Sequence, residues 1–182
     1  MRENNIAQKE NNWYVITGAP HSGKTSVLEL LDQKGHKVVY EAARIYIDRE
    51  VAKGREIEEI RKDEAKFQEK ILSFKIDIEK RVPQNEKVFF DRAIPDSYAY
   101  NKLIGINNSD LTKILKKCYY KKVFLFEPLP YKQDYARIET EEEQIKLHHL
   151  LKETYQKFNF PTVVVPPMNS KEDRLKFIIN NL

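Results

Sequence analysis

The chain has 182 residues, 41% hydrophobic and 33% charged, with 32 Lys and Arg against 28 Asp and Glu for a net charge of +4. That length can bury about two thirds of the unfolded surface in one core, and the small, interspersed charge excess argues against a nucleic-acid partner while still favouring a small polyphosphate. A lone cysteine, Cys118, excludes an internal disulfide and leads to the expectation of a reducing, cytoplasmic setting; no apolar run nears the ~20 residues that span a bilayer, so no membrane partner is expected.

Residues 1–12 (MRENNIAQKENN) lack the apolar stretch of a signal peptide or anchor and are expected to form a flexible tail before a single domain over 13–182. Trp13 to Thr17 is a β-rich run that stops at Gly18, and after Lys24 the pattern turns helical through Val27, Leu28, Leu30 and Leu31. Gly35 ends that helix, Lys37 to Tyr40 reads as a second strand, and the segment from Glu41 is helical with Ala43, Ile47 and Val51 on one face. Apolar residues from Ile57 to Ile78 recur in steps of three and four, interrupted only at Glu64, and predict one long amphipathic helix ending before Pro83.

A third strand, Lys87 to Phe90, delivers Asp91 at its end, and helices are expected from Asp96 to Ile104 and from Ser109 to Lys117. Lys122 to Phe126 is the fourth strand. A polar, proline-containing loop leads to a helix from about Thr140 to Phe158, Thr162 to Pro166 forms the fifth strand, and Ser170 with Asp173 has the spacing of a capping box for the last helix. Five short apolar strands alternating with helices imply an α/β fold with a parallel sheet covered on both faces, whose ligands sit at the carboxyl edge. His148 and His149 are helix neighbours about 100° apart and cannot share one metal.

Gly18-Ala19-Pro20-His21-Ser22-Gly23-Lys24-Thr25 matches G-x-x-x-x-G-K-[ST], between a strand and a helix as that motif requires. The two glycines permit close backbone approach, so that amide N–H groups can face phosphate oxygens. Lys24 supplies a point charge to the β and γ phosphates, the helix start presents its positive end, and the Thr25 hydroxyl is placed for magnesium, with Ser26 completing the set. ATP with Mg2+ is the expected ligand. Asp91-Arg92 follows directly on the third strand, where a carboxylate can hold a magnesium-bound water or take a proton from an attacking hydroxyl, and an arginine can neutralise phosphoryl charge. A helix-starting aspartate beside a surface arginine is the alternative reading. Glu41 and Arg44, three apart at the start of a helix, share one face over the same sheet edge.

Together these segments resemble a family of small bacterial P-loop proteins of the AAA type, related to the nicotinamide-ribonucleoside kinase domain of NadR. The likeness rests on ITGAPHSGKTS, on EAAR after the second strand, on VFFDRAIPDSYAY after the third, on the YKQDYARIET loop and on the closing VPPMNSKEDRLKFI. It implies a P-loop fold of the nucleoside/nucleotide-kinase type with strand order 2-3-1-4-5 and a lid loop. It also implies acceptor binding by Glu41, Arg44 and Asp96, and a lid containing Lys132, Gln133 and Asp134 with Arg137 as the catalytic lid arginine, alongside Lys24, Asp91 and Arg92. Ala93 stands where the family usually has glycine, and Ala136 where an acid precedes the lid arginine. The segment from Pro166 to Asn169 is the expected wall of an adenine pocket.

Three functions fit these features: phosphoryl transfer from ATP to a nucleoside-like or other metabolite, a nucleotide-binding switch without an acceptor, and an NTPase motor. A switch of the GTPase kind would carry N-K-x-D, but Asn101-Lys102-Leu103-Ile104 lacks the aspartate. A ring-forming motor would add a small helical domain after the sheet, where this chain is expected to finish with the sheet's last helix. Kinase chemistry is therefore the leading expectation; the acceptor and the oligomeric state stay open.

Overall fold

The computed structural model of the chain describes residues 10–129 and 140–182. Strand β1 (Trp13–Gly18) is buried along its whole length, and its side chains alternate between two cores. Trp13 and Val15 join Val88, Phe90, Val123 and Leu125 on one side; Tyr14 and Ile16 join Phe89, Phe124 and Phe126 on the other. Side chains of successive residues point to opposite faces of a strand, so a strand covered on both faces reads as the continuous apolar run seen in the sequence.

Around β1 stand β2 (Lys37–Val39), β3 (Val88–Asp91), β4 (Lys122–Phe126) and β5 (Thr162–Val165), all parallel, in the order β2-β3-β1-β4-β5. This is the expected α/β sheet with the expected strand order. Helices α1 (Lys24–Gln33) and α8 (Lys171–Asn180) cover the Tyr14 side through Val27, Leu28, Leu31, Leu175 and Ile178. On the Trp13 side lie α4 (Glu64–Arg81), α5 (Ile94–Leu103) and α7 (Glu141–Lys157), with Ile78, Ala99, Leu147, Leu151 and Tyr155 in the core. The remaining helices are α2 (Ala42–Val51), α3 (Ile57–Arg61) and α6 (Ser109–Leu115). Among the described residues no helix is long and apolar enough to cross a membrane.

One element differs from expectation. The single helix predicted over residues 57–78 is two, α3 and α4, because Asp63 leaves helical geometry and its carboxylate accepts from Lys66 N at 3.1 Å. An aspartate offered that N-cap bond competes successfully with helix continuation. Elsewhere Ser170 Oγ accepts from Asp173 N at 3.0 Å, as its spacing suggested. Thr140 and Glu143 form a full capping box at the start of α7. Residues 1–9 of the expected tail lie outside the described residues, whereas Asn11 and Asn12 are fastened to the domain: Asn11 Nδ2 donates to Tyr119 O and Asn12 N to Gln84 O.

Candidate active site

The loop from Gly18 to Lys24 links β1 to α1, and its two glycines are fixed by space as much as by conformation. A Cβ on Gly18 would lie 2.6 Å from the carbonyl oxygen of Phe126 on neighbouring β4, and one on Gly23, where φ is 79°, would run into the Arg174 guanidinium. Gly23 is the N-cap of α1, so no side chain occupies the first N–H groups, and the first turn carries no acid. Such a helix end presents free donors and the positive end of its dipole. Lys24 is buried, with Nζ donating to Ala19 O at 2.8 Å and Ser22 Oγ at 3.0 Å. Burial, then the charge of Arg92, brings its ammonium down to a pKa of about 7. Thr25 is exposed at the first turn and Ser26 is half-buried behind it.

Asp91 ends β3 beside Ile16 of β1, so the sheet register itself brings the acid to the edge that holds the loop. It is 5% exposed, and its Oδ1 is buried without a hydrogen-bond partner. Burial, then the proximity of Glu41, pushes its pKa up to about 6. Arg92 adopts φ 62°, an uncommon conformation for a bulky residue, and is held there by its N–H donating to Ile16 O at 3.0 Å. Its side chain is buried: Nε donates to Glu41 Oε1 at 3.0 Å, Nη1 to Gly18 O at 2.9 Å and to Asp96 Oδ1 at 3.3 Å, and the group lies 5.4 Å from the centroid of the Tyr100 ring. The alternative of a surface arginine is thereby excluded. Ala93, in the family's glycine position, has extended backbone that any residue adopts.

Asp96 is fully buried and takes four donors: Thr17 Oγ1 and Tyr155 OH at 2.5 Å each, Ala93 N at 3.0 Å and Arg92 Nη1. Burial alone would raise its pKa, but Lys75, Arg92 and those hydroxyl donors hold it below the usual carboxylate range. Its carboxylate is thus spent on β1, α5 and α7, behind the cavity rather than in its wall. Lys75, on the buried face of α4, donates to Ser97 Oγ at 3.1 Å, and burial lowers its pKa.

A cavity of about 370 Å³ opens between α2 and α4. Glu41, Arg44, Gln68, Lys75, Arg92 and Tyr100 supply its polar wall, with Ile47, Phe67 and Ile71 beneath. Glu41 and Arg44 thus meet the same space, as their spacing predicted, although Glu41 pairs with Arg92 and not within its own helix. Burial would raise Glu41, but Arg92, then Lys24 and Lys75, hold its pKa down. Lys132, Gln133, Asp134 and Arg137 of the expected lid lie outside the described residues. Pro166 to Asn169 connects β5 to α8.

Sequence reasoning missed Gln68, Lys75, Tyr100 and Arg174. Lys75 was detectable, since it continues the stripe Phe67, Ile71, Lys75 at steps of four, where an ionisable residue has no place without a partner. Tyr100 closes the VFFDRAIPDSYAY motif without any sign there of a cavity role, and it reaches the cavity because α5 starts directly behind Arg92.

A divalent cation bridged by a triphosphate needs few protein ligands. The orphaned, buried Asp91 Oδ1 and the exposed Thr25 hydroxyl fit that pattern. Among the described residues no group of three or more His, Cys, Asp and Glu could hold a metal unaided.

Comparison with known proteins bears on the fold. None of the curated proteins matches the sequence. Among solved structures, deoxyadenosine kinase from M. mycoides with dATP superposes with a TM-score of 0.62 at 16% identity, covering 93% of this chain and 98% of that one. Thymidylate kinase from Ehrlichia chaffeensis gives 0.66 at 14% identity, with 94% and 98% covered. The NadR protein in complex with NR gives 0.68 at 16% identity, covering 93% of this chain but 51% of NadR. At these identities the likeness establishes a common fold, that of P-loop nucleoside and nucleotide kinases. A family model described as an AAA domain matches residues 13–174, nearly the whole chain, and the protein belongs to that family.

Proposed function

We propose that this protein is a magnesium-dependent P-loop kinase that moves the γ-phosphoryl group of ATP to a hydroxyl or phosphate of a nucleoside-like metabolite. The observation that carries the reading is that one side chain serves two spaces: Arg92 lines the cavity and also binds Gly18 O at the start of the phosphate loop. A nucleotide switch needs no second cavity joined to its phosphate site. Two of the similar structures are by name kinases of deoxyadenosine and of thymidylate, which supports seeking the acceptor among nucleosides and nucleotides.

In this reading the N–H groups of the Gly18–Ser26 loop and Lys24 hold the phosphates, while Glu41 and Arg44 hold the acceptor. The acceptor oxygen bonds to the γ-phosphorus as the bond to the β–γ bridging oxygen breaks, and ADP leaves with that electron pair. Asp91 takes the acceptor's proton, and Arg92 with Arg137 offsets the charge on the transferring group. Thr25, and Asp91 through a water, would hold magnesium, which when bound neutralises triphosphate charge. Asp96 acts at one remove, by orienting Arg92. ATP is preferred over GTP because no N-K-x-D aspartate is present to read guanine. The test is ADP production from magnesium-ATP across a library of nucleosides, nucleotides and coenzymes. Stimulation by one acceptor class supports the proposal, and a rate that no acceptor raises defeats it.

A further inference from the structure

Three carbonyl oxygens of the phosphate loop are each held by a buried cation. Arg92 binds Gly18 O at 2.9 Å, Lys24 binds Ala19 O at 2.8 Å, and Arg174 Nη1 binds Ser22 O at 2.8 Å. The first two cations already belong to the site. Arg174 comes from α8, 152 positions after Ser22, and the chemistry proposed above gives it no task.

We infer that Arg174 is a positioning residue that fixes the Ser22–Gly23 peptide so that the Gly23 N–H faces the triphosphate. The inference rests on the reading of Gly18–Ser26 as a triphosphate cradle. A trans peptide is planar, with its C=O and N–H pointing in opposite directions. Holding Ser22 O toward α8 therefore turns the Gly23 N–H to the other side, into the loop. The left-handed backbone at Gly23 permits this orientation, and the space a β-carbon would need is filled by Arg174 Nη1 itself. A β-carbon at position 23 would thus displace the arginine from Ser22 O, on top of the strain of the left-handed backbone.

Arg174 can act as a fixed strut because everything around it is fixed. It is 4% exposed and its Cζ lies 5.8 Å from the centroid of the Phe126 ring. Phe126 is the β4 residue in register with Gly18, so the strut is braced against the strand beside the loop. The helix carrying it is capped by Ser170 and anchored by Leu175 and Ile178. Its Nε is buried without a partner, so the hold of the guanidinium on the loop runs through Nη1 and Ser22 O. A preset donor needs no reorganisation when a phosphate arrives.

The test is calorimetric titration of tripolyphosphate and of magnesium-ATP onto wild type, Arg174→Met and Arg174→Lys, with thermal unfolding of each. Loss of the strut should weaken both ligands by a similar factor, ~10-fold for Arg174→Met. Lysine, which keeps the charge and a donor for Ser22 O, should recover part of that loss and also serves if the methionine variant does not fold. Unchanged tripolyphosphate affinity in the folded variants overturns the inference. A loss seen with ATP alone would place Arg174 at the base instead, and a lower melting temperature with both affinities intact would make it a purely structural residue. Wild-type protein that binds neither ligand removes the cradle reading, and this inference with it.

Discussion

Arg92 and Glu41, 51 positions apart, meet at 3.0 Å and close the gap between the phosphate loop and the cavity. The pair is asymmetric. The Arg92 side chain is 5% exposed, whereas that of Glu41 is 33% exposed and opens on the cavity. Arg92 has a second carboxylate, Asp96, behind it, so Glu41 can engage an acceptor without leaving the guanidinium unpaired.

Glu41→Gln should therefore leave the fold nearly intact, with a stability change within about 1 kcal/mol for a partly exposed ion pair. Acceptor KM should rise ~10-fold or more while ATP affinity moves little. Steady-state kinetics in both substrates checks this. A variant with an unaltered acceptor KM would place the acceptor elsewhere.

Asp96 behaves differently under the same kind of change. It is wholly buried among Arg92, Lys75, Thr17 and Tyr155, and its folded pKa lies below the ordinary 3.8 of an aspartate. Its stabilisation is thus present above about pH 3.8 and is lost as pH falls through the lower folded value. Asp96→Ala should cost ~3–5 kcal/mol, because two buried cations lose their shared partner. Urea denaturation measures it, and a cost below that of an ordinary surface substitution would rule out Asp96 as an anchor.

The strands and the phosphate-loop pattern were legible because each depends on local pattern, whereas the strand order came from the family resemblance. The apolar runs of Trp13–Gly18 and Lys122–Phe126 and the glycine spacing around Lys24 carry their meaning in adjacent residues. Asp91 and Glu41 were legible for the same reason, each following a strand. The role of Arg174 was not, since its only signal is a contact with Ser22 made through tertiary packing. The break between α3 and α4 was missed because the apolar period resumes in phase after the single gap at Glu64, while the cap that ends the first helix is one aspartate. Asp96 illustrates a further limit of sequence reasoning. Its position in a motif suggested a substrate ligand, yet whether a carboxylate faces a cavity or the core depends on Thr17 and Tyr155, brought from 79 and 59 positions away.

Asp91→Asn keeps shape and removes charge. Turnover should fall ~100-fold or more, while ATP affinity changes far less. With a folded pKa of about 6, the wild-type carboxylate should give kcat/KM an acid limb near that pH, absent from the residual activity of the variant. Stability moves the other way. The folded pKa is raised from 3.8, so this group lowers stability as pH climbs from 3.8 to about 6, and the asparagine variant should lose that part of the slope. Pre-steady-state turnover and melting temperature against pH test both halves. Equal losses in binding and rate would leave holding magnesium as the whole task of Asp91 and remove it as the base.

Lys24 gives the most direct test of the phosphate loop. In the free protein its pKa is near 7, lowered from 10.5 by burial first and then by Arg92. A triphosphate placed against the ammonium favours the charged form and raises that value again. Above about pH 7 binding should therefore take up a proton at Lys24, and affinity should fall as pH rises, by up to ~10-fold per unit. The free protein shows the linked effect: a folded pKa below the unfolded one means that the burden of burying the charge is full below about pH 7 and is relieved between 7 and 10.5. Lys24→Ala should lose ~10- to 100-fold in ATP affinity, since hydrogen bonds between charged groups are forfeited, yet keep its fold because the ammonium contributes nothing to the apolar core. Calorimetry near pH 8 in two buffers of different ionisation enthalpy counts the protons directly. Uptake of up to one proton by wild type and none by Lys24→Ala is the expected result; equal uptake in both proteins would mean that the titrating group lies elsewhere and that Lys24 does not meet the phosphates.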